Sequence, residues 1–358
     1  MAKKDEHRLR IGVLGAGQIA QAAHFESAVK ARNTDLFAIC DVADDLCARM
    51  AVTHGATKTF SDFDKMLADP DVDAVIIATA DAFHIDASAR ALLAGKHVLC
   101  EKPLGVTVEE AESLRAPLRQ SGKVLQVGHM KRFDAGLQSA KGFIDSEMGD
   151  MATLKAWYCD STHRYANTDA VQPTVVASVH ARKPASNPKA DMQRYLMLAH
   201  GCHLIDTARY LAGDIVSVQS RFSERGGLRC WFVDTEFASG TLGHLELTVA
   251  VRMDWHEGFH VHGANGSVVG RTFNPWFYRS SEVDVFREAT GSAERVLGAD
   301  GHFYRRQLEG FADVILNGAV MTGATLEDGI ASVRGMVAIA RSAASGKRVA
   351  LADVDGGL

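Results

Sequence analysis

Leu9-Arg10-Ile11-Gly12-Val13-Leu14-Gly15-Ala16-Gly17-Gln18-Ile19-Ala20 is the stretch on which the fold turns. Leu9–Leu14 is a short apolar run with little polar alternation, the texture of a strand covered on both faces. Gly15–Ala20 spells GxGxxG with alanine in the last place, an accepted variant, and a helix-length segment runs from Gln18 to Ala31. Gly15 permits the tight turn, Gly17 lets the backbone approach a pyrophosphate, and the small Ala20 lets the helix pack closely on its strand. The helix start, with Gln18 and Ile19, offers free N–H groups and a partial positive charge to phosphates. Asp41 closes the next apolar run, Leu36–Cys40, at 41 − 20 = 21 residues past Ala20. That is where an acid meets the adenosine ribose hydroxyls. The following Val42-Ala43-Asp44-Asp45 holds no Arg or Lys, so a 2′-phosphate would face negative charge and NAD is favoured over NADP.

Outward from this unit, apolar runs at Ala74–Ala78, His97–Cys100 and Val124–Val127 alternate with helix-length segments at Asp44–His54, Phe83–Ala94 and Val108–Ser121. Repeated strand-helix units predict a parallel sheet wrapped by helices, a Rossmann dinucleotide-binding domain over residues 1–128. Beyond it the texture changes. Gly149–Asp160 reads as a strand, Ser161–Asp191 as an irregular stretch with Pro173, Pro184 and Pro188, and His203–Leu211 as a helix. Alternating segments at Ile215–Phe222, Leu228–Phe237, Thr241–Val251 and Gly258–His262 precede two helical runs, His302–Asn317 and Thr325–Ser345. Residues 129–358 therefore read as an α+β domain with a large, mostly antiparallel open sheet, and the whole chain as α/β.

The chain has 358 residues, about two domains' worth at roughly 150 each. Its formal charge is 39 − 44 = −5, which argues against a nucleic-acid or membrane-surface binder. No run reaches the ~18 apolar residues of a membrane span. The polar start Met1-Ala-Lys-Lys-Asp-Glu-His-Arg lacks the apolar stretch of a secretory signal. Six scattered cysteines without a CxxC pair read as reduced thiols, so a cytoplasmic protein is expected.

Ala78-Thr79-Ala80-Asp81-Ala82-Phe83-His84, Gly95-Lys96-His97-Val98-Leu99-Cys100-Glu101-Lys102-Pro103-Leu104, Gly201-Cys202-His203-Leu204-Ile205-Asp206 and Leu326-Glu327-Asp328-Gly329 follow one another in order. Together they resemble the glucose-fructose oxidoreductase / inositol dehydrogenase / rhizopine-catabolism (Gfo/Idh/MocA) family over nearly the whole chain. The resemblance implies hydride transfer between a nicotinamide and a secondary hydroxyl or carbonyl of a sugar, glycoside or cyclitol. It also implies a homo-oligomer, dimer or tetramer, built through the C-terminal sheet. Lys102 would stand near both the nicotinamide of the cofactor and the reacting oxygen, and His203 would move its proton. Thr79, Asp81, His84 and Glu101 would line the nicotinamide half of the cofactor. The chemistry is coherent: an imidazole titrates near working pH and an ammonium stabilises a developing alkoxide.

Arg132, in a family-like segment after the last Rossmann strand, and His163, Arg164, Tyr165, His200 and Asp206 are further candidates to contact substrate; Asp206 is also placed to orient His203. The family commonly reads Asp-x-Gly-x-His where this chain has Ala199-His200-Gly201-Cys202-His203, so the second polar group must come from elsewhere, His200 being adjacent. The basic segment 163–194 reads as a lid or arm, or as a solvated loop. His256-Glu257-Gly258-Phe259-His260 matches HExxH, but its period-two texture is that of a strand, so no zinc site is expected. An NAD-retaining lyase or glycosidase and a non-catalytic sensor of the same fold are the alternative functions.

Overall fold

The computed structural model describes residues 8–163, 170, 172–182, 188–296 and 300–358. Arg164 and Tyr165 lie outside the described residues. The chain divides into two compact units, each assembled from separate stretches. The first contains residues 8–130, 173–182 and 304–330.

In the first unit six parallel strands lie in the order β3-β2-β1-β4-β5-β6: β1 Leu9–Leu14, β2 Thr34–Cys40, β3 Lys58–Phe60, β4 Ala74–Ile77, β5 His97–Cys100 and β6 Leu125–Val127. The central strands explain the expected apolar runs, since every residue of β4 is buried. β3 adds a strand to those expected: its three residues are all at least partly accessible and carry no apolar run. Residues 18–30 wind as one helix with a wide π turn at Ala20–His24. The expected helix Val108–Ser121 is two helices, Val108–Glu112 and Arg115–Ser121. Pro117 cannot donate to Ser113 and its ring crowds that carbonyl, which ends the first helix there. Ile11, Val13, Phe25, Ile39, Ile76 and Leu99 form the core, and Leu308, Phe311 and Ala312 of the helix Phe303–Asn317 complete it. A late segment of chain thus returns to seal the first unit.

The second unit is built on nine strands in the order β14-β13-β12-β11-β7-β10-β9-β8-β15. They are β7 Met151–Ser161, β8 Ile215–Arg225, β9 Leu228–Phe237, β10 Leu242–Val251, β11 His256–Gly263, β12 Gly266–Thr272, β13 Glu282–Arg287, β14 Ser292–Val296 and β15 Val349–Ala350. All neighbours run antiparallel except β7 and β10, so the expected mostly antiparallel sheet is present. One face is buried: Trp231, Val233, Thr235 and Phe237 of β9 point inward while Phe232 is exposed. The helix expected at His203–Leu211 is the last part of a longer one. Met192–Leu196, a π turn Met197–Gly201 and Cys202–Ala212 run on continuously and pack against β7.

Candidate active site

The first half of the site grows from the C-terminal end of β1. Gly15 has φ +95°, and a Cβ there would stand 2.8 Å from the carbonyl oxygen of Ala78, so only glycine fits the turn. A Cβ on Gly17 would meet nothing within 4 Å, which leaves the open approach a pyrophosphate needs. Gln18 is exposed and Ile19 half-buried against the core. Asp41 Oδ2 accepts the N–H of Ala16 at 2.8 Å and Oδ1 that of Ala43 at 3.0 Å, so this carboxylate braces the glycine loop. Asp81 accepts the N–H of Ala82 at 2.9 Å. Thr79 Oγ1 is buried and has no hydrogen-bond partner among the described residues. An orphaned hydroxyl beside an open, glycine-lined helix start fits a bound dinucleotide.

The loop after β5 carries Glu101, Lys102 and Pro103, with a cis bond between the last two. Glu101 is buried, accepts the Lys102 N–H at 3.2 Å through Oε2, and meets His24 Nε2 at 2.9 Å through Oε1. Burial opposes its ionisation, but the bond to His24, the charges of His24 and Lys102 and that of His84 hold its carboxyl below the usual carboxylate range. Lys102 itself is half-buried. His24 sits in the π turn, where an inserted residue re-aims a side chain, and packs edge-on to Tyr304 at 5.6 Å.

His84 ties two loops together. Its Nδ1 lies 2.7 Å from the carbonyl oxygen of Pro103 and its Nε2 3.1 Å from that of Thr79. Two acceptors require both ring nitrogens to carry protons. Burial pushes against that charge, yet the neighbouring Cys100 and the two carbonyls raise the His84 pKa from 6.5 to about 9. A histidine more basic folded than unfolded adds stability that is fully present below pH 6.5 and is lost as pH climbs through 9, worth ~3 kcal/mol by linkage. Urea midpoints are therefore expected to fall between pH 6.5 and 9.5 in the wild type and much less in His84→Gln. An equal fall in both proteins would place the titrating group elsewhere. Further along the loop, Leu104 packs against Gly329, where a Cβ would come within 2.7 Å of it. Gly329 belongs to a helix opened by reciprocal Thr325–Asp328 capping bonds.

Residues 173–182 run along this same unit as a strap. The Gln21 side chain donates to Val176 O and accepts from Val176 N, both at 2.9 Å. Ser178 Oγ donates to Asp45 at 2.8 Å, and the Arg182 guanidinium lies 4.7 Å from the Phe83 ring centre.

In the second unit the long helix presents His200 and His203 to β7. His203 is buried, and its ring lies parallel to that of Tyr158, 5.8 Å away. His200 Nδ1 is 3.2 Å from Tyr158 Oη, and its Nε2 is 3.4 Å from Asp160 Oδ2. The Lys131 ammonium stands 4.4 Å from the centre of the Tyr158 ring and pairs with Glu257, both side chains buried. Trp255 Nε1 donates to Glu257 at 3.3 Å. Burial pushes the Glu257 carboxyl upward, against the pull of Lys131. Arg132 and Asp206, both expected to face substrate, face each other: Arg132 Nε lies 3.1 and 3.0 Å from the two Asp206 oxygens and Nη2 2.7 Å from Oδ1. His163 is exposed, its N–H bonded to Ser161 at 3.0 Å.

The HExxH segment lies in β11. His256 and His260 sit on one face, their rings 5.4 and 5.1 Å from that of Trp157, while Glu257 turns to the other face and Lys131. No group of three His, Cys, Asp or Glu among the described residues is placed to hold a metal ion. His24, Tyr158, Asp160 and Lys131 stand in no motif of the sequence, and Glu257 stands only inside the HExxH spelling. The available signals were spacings: His24 is one helical turn past Ala20, and Tyr158 and Asp160 are two apart on one strand face.

Comparison with known proteins is consistent across the chain. Residues 9–129 match the profile described as an oxidoreductase family, NAD-binding Rossmann fold, and residues 162–269 that of the GFO/IDH/MocA C-terminal domain. A 1,5-anhydro-D-fructose reductase of Ensifer adhaerens is 26% identical over 98% of this chain and 99% of its own. An inositol 2-dehydrogenase of Saccharopolyspora erythraea is 29% identical over 94% of both. Among solved structures, levoglucosan dehydrogenase in complex with NADH and levoglucosan superposes with a TM-score of 0.78 at 22% identity, covering 96% of this chain and 100% of that one. Scyllo-inositol dehydrogenase from Lactobacillus casei, with bound NAD(H) and scyllo-inositol, does so at 0.74 and 22%, covering 97% and 100%.

Proposed function

Because the chain belongs to the Gfo/Idh/MocA oxidoreductase family and carries its NAD-binding Rossmann domain, we propose that it moves hydride between NAD(H) and a secondary hydroxyl or carbonyl of a sugar, glycoside or cyclitol. The observation that carries this reading is the Glu101–Lys102 loop: a buried carboxylate, held below its usual pKa range, accepts the backbone N–H of Lys102 and so fixes the loop that bears this lysine at the C-terminal rim of a parallel sheet, where such sheets place their ligands. The relatives named for anhydro-sugar and inositol substrates support the substrate class.

Gly15, Gly17, Gln18 and Ile19 would seat the pyrophosphate, Asp41 the adenosine ribose, and Thr79, Asp81 and His84 the nicotinamide half. When bound, NAD accepts or returns the hydride. This chain's own part is the substrate oxygen: Lys102 stabilises its negative charge and His203 takes or returns its proton. Asp44 and Asp45 follow Asp41 into the next helix start, which favours NAD over NADP.

The test is titration of the purified protein with NADH and NADPH, then a screen of myo-inositol, levoglucosan and 1,5-anhydro-D-fructose by nicotinamide absorbance. Tighter NADH binding and turnover of a panel member are expected. No binding of either dinucleotide would remove the reading. Product without net cofactor change would point to the lyase or glycosidase alternative.

Assembly through the C-terminal sheet is part of the proposal. Phe232, Val269 and Phe286 are exposed on one face by strand register, and a dimer or larger in size-exclusion chromatography, reduced by Phe232→Asp, is expected. A wild-type monomer would remove it.

A further inference from the structure

The second unit contains a cavity of about 280 Å³, just below the roughly 300–1,000 Å³ range of small-molecule sites. Asp160 and Ser161 line it from the end of β7, Thr162 from the residue after it, Lys189 from the turn before the long helix, Tyr195 and His200 from that helix, and Ala250 from β10. Three features mark it as a built site. Asp160 and His200 are 5% and 6% exposed, so a carboxylate and an imidazole have been carried into the wall, a costly burial unless it serves binding or structure. The β7–β10 pairing slips between Val249 and Val251, leaving Ala250 bulged at φ +69°. Bulges and left-handed non-glycine residues gather beside functional sites. The wall is also wired to His203: Asp160 meets His200, His200 meets Tyr158, and Tyr158 lies parallel to the His203 ring. Position 199 is alanine and contributes no side-chain polar atom.

We propose that Asp160 is the residue that recognises a substrate hydroxyl in this cavity, with His200 holding its carboxylate in place. The inference rests on the sugar or cyclitol reading above and adds the residue that selects among such substrates. A carboxylate accepts hydrogen bonds from hydroxyls, and beside it Ser161 and Thr162 donate their own protons to the carbonyls of Met253 and Val251, which leaves Asp160 as the charged acceptor in the wall. Because Asp160 connects through His200 and Tyr158 to His203, a hydroxyl bound at one end sets the ring position relative to the group that moves the proton.

The test uses the full chain with NADH and the panel myo-inositol, levoglucosan and 1,5-anhydro-D-fructose. Asp160→Asn keeps the shape and removes the charge. Its KM for the substrate turned over is expected to rise at least tenfold, with kcat changed less and NADH affinity within twofold of the wild type. In a series of singly deoxygenated analogues of that substrate, one is expected to lose nothing further in the variant, because it lacks the hydroxyl that Asp160 holds. A KM within twofold of the wild type, or an equal loss for every analogue, overturns the inference alone. If the wild type binds NADH but neither turns over nor calorimetrically binds any panel member, the inference falls together with the substrate reading. Asp160→Glu is the second variant, expected to change which panel member is preferred. Should both variants lose NADH binding, Asp160 is structural and the inference is overturned.

Discussion

Lys102→Ala is expected to lower kcat by about 10³-fold while leaving NADH affinity nearly unchanged. Removing one preorganised donor from a developing oxyanion costs about 10²–10³ in kcat, and loss of a full ammonium belongs at the upper end. The cofactor contacts assigned to the glycine loop and Asp41 are untouched by the substitution. Lys102→Arg keeps the charge but spreads it over a planar fork, so only partial recovery is expected. His203→Ala is expected to lose about 10²–10⁴-fold, the range for a general acid-base group. The double variant should be little worse than the poorer single one, since groups that act on one oxygen are not additive. Steady-state rates with the substrate found in the panel, beside fluorescence titration of NADH, check this. Full turnover in both single variants would remove Lys102 and His203 from the chemistry.

The largest effect on stability is expected at Lys131. Its ammonium and the Glu257 carboxylate are each 4% exposed, and removing one partner of such a buried pair typically costs about 3–5 kcal/mol. Lys131→Met leaves Glu257 as an uncompensated buried acid and also removes the cation beneath the Tyr158 ring. Urea unfolding should show the loss, and adding Glu257→Gln should recover most of it. The pH dependence has a definite sign. Burial raises the folded Glu257 pKa above its unfolded value, so the acid costs stability increasingly as pH rises past the unfolded value of 4.5. Without Lys131 to offset it, the variant should be closest to the wild type near pH 4.5 and furthest from it at pH 8. A pH-independent difference would mean that lost packing, not charge, is responsible.

The two predictions differ in how far sequence alone leads to them. Lys102 was legible because its signal is local: a strand, a turn and three consecutive residues, each needing only its neighbours to be interpreted. The same holds for Gly15, Gly17 and Asp41, whose spacing reflects one strand-helix-strand unit. Lys131 and Glu257 are 126 residues apart, and no periodicity links them; Glu257 was visible only inside a misleading HExxH spelling. Arg132 and Asp206 were both legible as polar residues near the site, but their engagement with each other was not, because a pairing across 74 positions depends on how the turn Met130–Phe133 and a distant helix close on each other.

By itself, then, the sequence determined a parallel nucleotide-binding sheet, an acid at the end of its second strand, the lysine loop, and a second domain with a mostly antiparallel sheet. These follow from alternation, glycine placement and apolar runs, which act over one or two elements. Only the tertiary structure decided that residues 304–330 return to complete the first core. It also decided that π turns place His24 and His200, that His84 bridges two carbonyls, and that Asp160 lies in the wall of a cavity. Each of these depends on long-range closure of the chain, where burial and the pairing of polar groups are settled between segments that carry no mark of one another.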